Sequence, residues 1–268
     1  MLQQAEAPRR LAAAPLTVSS GHICFWQGGS LWLGRGQGRS RRHDHHAHQI
    51  AIPLDGTCRF RGTPEERWAT YAAAIIPSHC KHEFEFKGAI AQLFVEPETL
   101  QGRSLDRYVM RAGISALPDA ERSRIAPMLL RAEQDQLGGE ALARVAQAAL
   151  ATLTGCEVMA APVDTRVIKA IDYVGSRLLA PVSLADAAGA AALSPSRFRH
   201  LFVQETGTTF RAYLLWLRLN VAIKAAMDGA SWTGAAHEAG FADSAHLSRT
   251  FVRMLGINPA DLSSARNA

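Results

Sequence analysis

The sequence predicts an α+β multidomain chain: a strand-rich N-terminal region, a short helical segment and an all-α C-terminal block. Three observations predict it. From about Ser20 to Glu96 apolar and polar positions alternate between glycines and short turn signals, which is the period of strands half-buried in a sheet. From Pro118 onward the texture changes to Ala, Leu, Arg and Glu at helical spacing. The C-terminal block also repeats itself, cap for cap and core for core.

The bulk numbers agree with this division. A chain of 268 residues with 48% hydrophobic and 20% charged residues can fill two modest cores without covalent staples and is not disordered. The net charge of +5 suits a polyanionic partner but does not by itself select one. Cys24, Cys58, Cys80 and Cys156 are far apart and form no CxxC pair, so buried thiols are expected, not a disulfide framework or a zinc knuckle. Pro8, Arg9, Arg10 and Pro15 break up the N-terminus as a signal segment, no stretch reaches membrane-spanning length, and the expected location is the cytoplasm.

In the first region, Leu31-Trp32-Leu33, Gln49 to Leu54 and Ala89 to Val95 read as strands, and the run from Gly34-Arg35-Gly36 to Gly38 as a hairpin turn, too weak to suggest nucleotide binding. Two helices are expected over Asp119 to Gln136 and Glu140 to Leu153, parted by Gly138-Gly139. Ile125, Met128, Leu129 and Ala132 recur at three- and four-residue spacing. This apolar face serves either to dimerise the protein or to pack on its own N-terminal region. Gly155, Pro162 and small residues mark a linker near residues 155–163. The resulting domains are 1–117, 118–163 and 164–268.

In the last block Asp164, Ser183, Ser194, Ser231 and Asp243 are N-caps, and Gly207, Gly229, Gly240 and Gly256 are stops. A shift of 49 residues lays Ser194 on Asp243, Phe198 on Leu247, Phe202 on Phe251 and Gly207 on Gly256. In each copy an Ala-rich helix, Leu184 to Ala191 or Thr233 to Ala239, precedes a tight turn and a second helix: a helix-turn-helix twice over. Ala187, Ala188, Ala235 and Ala236 allow close crossing, and Gly240 the sharp turn. With Phe198 and Phe202, or Leu247 and Phe251, on the core side, Ser196, Arg197, Arg199 and His200 occupy the opposite face of the first unit. Ser244, Ala245, His246, Ser248 and Arg249 do so in the second.

The run Ala239-Gly240-Phe241, Ser244, His246-Leu247-Ser248-Arg249, Phe251 and Gly256-Ile257-Asn258-Pro259 resembles the signature of AraC/XylS transcription regulators. The resemblance covers about Asp164 to Leu262 and implies seven helices, with a long one near Phe210 to Met227 joining the units. Two departures are Gly189 followed by three alanines where a turn glycine would come later, and Leu247 where the signature has an aromatic. The resemblance implies base contacts from Ser196, Arg199, His200, Ser244, Ala245, His246 and Arg249, with Arg197 on the same exposed face. Arginine is the strongest reader, since its guanidinium can bind guanine bidentately. Lys169, Arg211, Arg218 and Arg253 are candidates for phosphates.

The segment His43-Asp44-His45-His46-Ala47-His48-Gln49, followed by Gly56, resembles the first motif of cupin barrels, with Gln49 where metal-binding members have glutamate. Pro77, His79 and His82 resemble the second motif. The resemblance implies a cupin-like β-barrel. Strand alternation would set His43, His45 and Gln49 on one face and His46 and His48 on the other. His43, His45, Gln49 and His82 are then candidate ligands for zinc, nickel or iron(II), Gln49 the poorest of them. The other reading makes these histidines packing groups, with an organic effector or none.

The expected function is a DNA-binding transcription regulator, not an enzyme. Its partners are double-stranded promoter DNA, a second copy as homodimer through the helical segment, RNA polymerase if it activates, and a small effector. The alternatives are a cupin metalloenzyme carrying a DNA-binding module, which would need turnover at an open metal site, and a dimerisation scaffold indifferent to metal and small molecules. No Ser/His/Asp order, phosphate loop or carboxylate pair offers a better catalytic site.

Overall fold

The fold is taken from a computed structural model that describes residues 17–109, 113–155, 163–178 and 180–266. The N-terminal residues through Leu16, the linker residues 156–162 and Cys156 lie outside the described residues.

Eight strands form the N-terminal sheet: β1 (Thr17–Trp26), β2 (Gly29–Arg39), β3 (His48–Pro53), β4 (Thr57–Arg61), β5 (Ala69–Tyr71), β6 (Ala74–Ile76), β7 (Glu83–Val95) and β8 (Ser115–Ala116). Their order is β1-β2-β7-β3-β6-β8, with β4 pairing β5 and β7. The long β7 organises it. One edge of β7 pairs with β2 from Glu85 to Val95. The other edge pairs with β4 over Glu83 to Lys87 and with β3 over Ile90 to Val95. Between those two partners Gly88 sits at φ +106, and the Ala89 N–H is taken by Asp55 Oδ1 at 2.6 Å. A side chain at Gly56 would collide with the Lys87 carbonyl, so the β3–β4 turn can approach this bend only as glycine.

The predicted barrel is corrected to an open sheet: among the described strands the path ends at β1 and at β8 without closing. The edge at β1 lies against the C-terminal 3-10 segment Pro259–Arg266, so chain from the other domain covers it instead of a closing strand. The glycine run 34–38 is also corrected. It is not a turn but the middle of β2, hydrogen-bonded on both sides, where Gly34 faces Gly21 and Gly36 faces Gly88. Small residues there let the bent strands come close.

A short helix α1 (Leu100–Leu105) follows the sheet, and α2 (Asp119–Gln134) and α3 (Gly139–Thr154) pack on it. Ile125, Leu129, Leu142, Ala146 and Leu150 share one core with Leu31, Leu33, Ile50, Ile52 and Leu93. Of the foreseen apolar face, Ile125, Leu129 and Ala132 pack on the chain's own sheet, while Met128 lines a shallow groove on the outer side.

The C-terminal block contains α4 (Thr165–Gly175), α5 (Leu184–Ala190), α6 (Pro195–Thr206), α7 (Phe210–Met227), α8 (Trp232–Glu238) and α9 (Ser244–Leu255). Among the described residues these six α-helices and the 3-10 segment stand where seven helices were implied. Each foreseen N-cap accepts a backbone N–H from the first turn of its helix. The repeat is metrical: α6 and α9 are both 12 residues long and end at left-handed glycines, Gly207 at φ +71 and Gly256 at φ +70.

The repeat slips by one residue inside the turn. The left-handed position is Ala192 at φ +53 in the first unit and Gly240 at φ +73 in the second, a shift of 48, so Ala242 is an inserted residue before Asp243. Ala192 therefore holds a conformation that costs an L-residue roughly 1–2 kcal/mol. Ala192→Gly should raise stability by about 1 kcal/mol after the entropy of the freed glycine is subtracted, read as a rise of a few degrees in Tm. Gly240→Ala should lower it.

Candidate nucleic-acid interface and histidine cluster

The two second helices, α6 and α9, present matching faces. Phe198 and Phe202 in α6, and Leu247 and Phe251 in α9, are buried with at most 1% exposure. On the opposite side Ser196, Arg197, Arg199 and His200 are all exposed, as are Ser244, Ala245 and Arg249, while His246 is half-buried with its ring edge-on to Phe241 at 5.2 Å. His246 is thus the one predicted reader held by packing. The joining helix α7 has 18 residues, about 27 Å of rise. Arg211 and Arg253 are exposed. Lys169 is exposed on α4, but Arg218 is half-buried with its guanidinium 3.3 Å from the position a Cβ on Gly240 would take.

The histidine segment does not run as a strand from His43: β3 begins at His48, and residues 43–47 form a loop pinned by a bridge between His43 and His82. That loop nonetheless gathers three rings. One nitrogen of each of His43, His45 and His82 lies within 4.8 Å of the other two, and all three residues are buried. Their hydrogen bonds decide which nitrogen is free. Nδ1 of His43 meets the Arg41 carbonyl at 2.8 Å, Nδ1 of His45 the Ala47 carbonyl at 2.8 Å, and Nδ1 of His82 the Cys80 carbonyl at 2.9 Å. A carbonyl only accepts, so Nδ1 of His43 and of His82 carries the hydrogen and their Nε2 keeps its lone pair, whereas His45 Nε2 faces Gln49 Oε1 at 3.1 Å. Burial, reinforced by the neighbouring rings, holds the imidazoles neutral: His43 is lowered to about 3, and His82 lies well below its usual value. Nε2 of His82 is buried without any partner.

Gln49 stands beside this triad. Its side-chain amide reaches His45 Nε2 at 3.1 Å and that of Gln92 at 2.6 Å. Its Oε1 faces the His45 ring and its NH2 donates to Gln92 Oε1, so both nitrogens of His45 face acceptors, the Ala47 carbonyl at Nδ1 and Gln49 Oε1 at Nε2. An amide so engaged is occupied in orienting His45. The triad alone fits a borderline divalent ion: three neutral imidazoles, each fixed through Nδ1 by a backbone carbonyl, and one of them otherwise unsatisfied.

Neighbouring histidines have other work. His46 Nε2 meets Glu98 at 2.8 Å and its Nδ1 faces His79 at 3.4 Å, while His48 Nδ1 accepts the Ser78 N–H at 3.1 Å. These belong to the seam between the two domains. Trp216 of α7 is 3% exposed and donates its indole N–H to Glu96 at 2.9 Å. It shares one core with Phe94 and Ala47 of the N-terminal domain and with Leu247 and Phe251 of the second unit. Arg103 pairs with Glu205 at 2.9 Å. Sequence reasoning missed Trp216, Glu96, Glu98 and Tyr213, because nothing in their spacing says that a helix of one domain faces a strand end of the other. Beside the triad, a cavity of about 80 Å³ is walled by Trp32, Phe84, Phe86 and Phe94 of the sheet and by Leu255, Ile257 and Leu262 from beyond the seam, with His43 and Gln49 at its polar side.

Residues 187–265 match the family model of a helix-turn-helix domain. No curated protein is significantly similar to the chain. Among solved structures, ToxT from Vibrio cholerae O395 is similar with a TM-score of 0.58 at 10% identity, over 90% of this chain and 98% of that one. ToxT with a bound unsaturated fatty acid, from Vibrio cholerae strain SCE256, gives 0.52 at 10% identity over 88% and 94%. A transcriptional regulator with an AraC-type DNA-binding domain from Chromobacterium violaceum is 26% identical over 38% of this chain and 93% of its own, with a TM-score of 0.37. The two-domain fold is thus that of ToxT, and the C-terminal domain contains a helix-turn-helix domain. Among the described residues no helix is long and apolar enough to cross a membrane.

The buried acid at the seam carries a pH signature. Burial, with Glu98 next to it, pushes the Glu96 carboxyl up to about 7. Between the usual glutamate value and that point the folded chain holds a proton the unfolded chain has lost, so stability falls as pH rises through this window. Glu96→Gln, which can still accept the indole N–H, should raise Tm by several degrees at pH 8 and by little at pH 5. Equal effects at both would contradict the assignment.

Proposed function

We infer that this chain, an AraC-type DNA-binding transcription regulator by its C-terminal domain and two-domain fold, reads promoter DNA with α6 and α9 and senses through the cluster and cavity at its domain seam. The observation that carries the reading is the pair of matched, exposed faces at the ends of one helix. Two such faces suit successive major grooves, about 34 Å apart. Ser196, Arg197, Arg199 and His200 in the first unit and Ser244, Ala245, His246 and Arg249 in the second are the contacting residues, the arginines reading guanine and Ala245 able to offer only a methyl contact. Arg211, Arg253 and Lys169 meet phosphates. A cytoplasmic location follows from that work, and the role is regulatory and not enzymatic.

The sensing half takes a divalent metal at His43, His45 and His82, with Gln49 orienting His45 and not serving as a fourth ligand. An ion there would supply a positive charge shared by three imidazole nitrogens. The apolar cavity beside it suits the body of a small effector; a structural relative, ToxT, has a crystal structure with an unsaturated fatty acid bound. Homodimerisation uses the outer side of α2 and α3, where Pro127, Met128, Val145 and Ala148 line a shallow apolar groove.

Footprinting on the chain's own promoter region at fixed salt tests the reading. Wild type should protect about two helical turns, and Arg249→Ala should lose about 1–3 kcal/mol of specific binding, roughly 5- to 150-fold. Protection that is absent, or indifferent to sequence and to this substitution, would refute it. His82→Ala should abolish zinc binding in equilibrium dialysis; retained stoichiometric binding would remove the triad from the account.

A further inference from the structure

His43 faces two ways. Its Nδ1 bonds to the Arg41 carbonyl at 2.8 Å, and the Arg41 N–H donates to the Gly256 carbonyl at 2.7 Å. Gly256 is the left-handed cap of α9, and its own N–H closes the last turn on Val252 at 2.9 Å. The approach is tight: a Cβ at Gly256 would lie 2.3 Å from the Arg41 oxygen and 2.5 Å from His43 Nδ1. The imidazole, the residue-41 backbone and the final turn of the second reading helix therefore form one hydrogen-bonded string, buried against Leu255 and Ile257. The first unit touches the same region more lightly: His79, itself at φ +60, comes within 3.9 Å of where a Cβ on Gly207 would be.

Resting on the reading of the triad as a metal site, we propose that metal held by His43, His45 and His82 is thermodynamically coupled to DNA held by the second helix-turn-helix unit, through the contact of His43 with the Gly256 cap of α9. A metal on the free nitrogen of His43 fixes a ring whose other nitrogen is held by the Arg41 carbonyl, and the N–H of that same residue donates to the Gly256 carbonyl of the cap. Loading thus favours the docked arrangement of the domains. In that arrangement Ser244, Ala245 and Arg249 at the start of α9 are exposed, so the docked state presents this face to DNA. The sign follows: metal strengthens DNA binding, and by reciprocity DNA strengthens metal binding by the same factor.

Two dissociation constants measured on the full-length protein decide the matter. The first is for zinc, by competition with a chromophoric chelator, with and without saturating promoter DNA; the second is for that DNA, with zinc or with EDTA. Both should tighten by one common factor, about fivefold or more. For His82→Ala, DNA affinity should not respond to zinc. Trp216→Phe, which changes no triad ligand and no reading residue and keeps an aromatic ring beside His45, should keep zinc affinity while the common factor falls towards one. Zinc bound tightly with no change in DNA affinity, or with weaker DNA binding, would overturn the coupling and leave the metal site standing. A wild-type chain that binds no zinc would overturn the metal site and the coupling together.

Discussion

The indole of Trp216 is the contact on which the placement of both reading helices depends. It lies in the middle of α7, the helix common to the two units, and is buried in one core with the second unit's Leu247 and Phe251, Phe94 of the sheet and Ala47 of the histidine loop. A buried indole N–H left without an acceptor costs about 1–3 kcal/mol, and Glu96, at the end of the longest strand, accepts it. The second unit is in this way packed into the N-terminal domain, whereas the first keeps a core of its own around Phe198, Phe202 and Phe210. The chain holds one unit firmly, reaches the other through α7, the Arg103–Glu205 pair and His79, and leaves both reading faces in solvent.

Hydrogen-bond partners separate histidines that the sequence presents as a single run. His46 and His48 are engaged by protein groups at the seam and serve packing, as one reading of the run expects. His43, His45 and His82 spend one nitrogen each on a backbone carbonyl, and a nitrogen of each lies within 4.8 Å of the other two, an arrangement that neutral imidazoles do not need for packing. The cost of the orphaned His82 nitrogen is the physical argument for a ligand there.

The C-terminal block was legible almost residue by residue because its signals are local. Caps at Ser194 and Asp243, stops at Gly207 and Gly256 and the Phe or Leu core positions act within single helices, and α7 was placed at both ends. What failed was non-local. The glycine run from Gly34 looks like a turn until its neighbours on both sides are known, and an open sheet cannot be told from a barrel when the covering chain is more than two hundred residues away in sequence. The fold gathers three of the four residues that the sequence offers as ligands, though not by the strand alternation behind that reading, which the loop 43–47 does not follow. The engagement of Gln49 with Gln92 was not legible, because it depends on strand pairing between β3 and β7.

The central claim is that packing of Trp216 against the N-terminal domain, and not α7 alone, fixes the separation of the two reading faces. Pulsed dipolar spectroscopy between nitroxides at Arg197→Cys and Ala245→Cys, in a full-length chain with its native cysteines replaced, measures that separation. One narrow distance distribution that broadens in Trp216→Ala is the predicted result. A distribution of the same width with and without the indole would mean that α7 sets the spacing unaided, and would contradict the account.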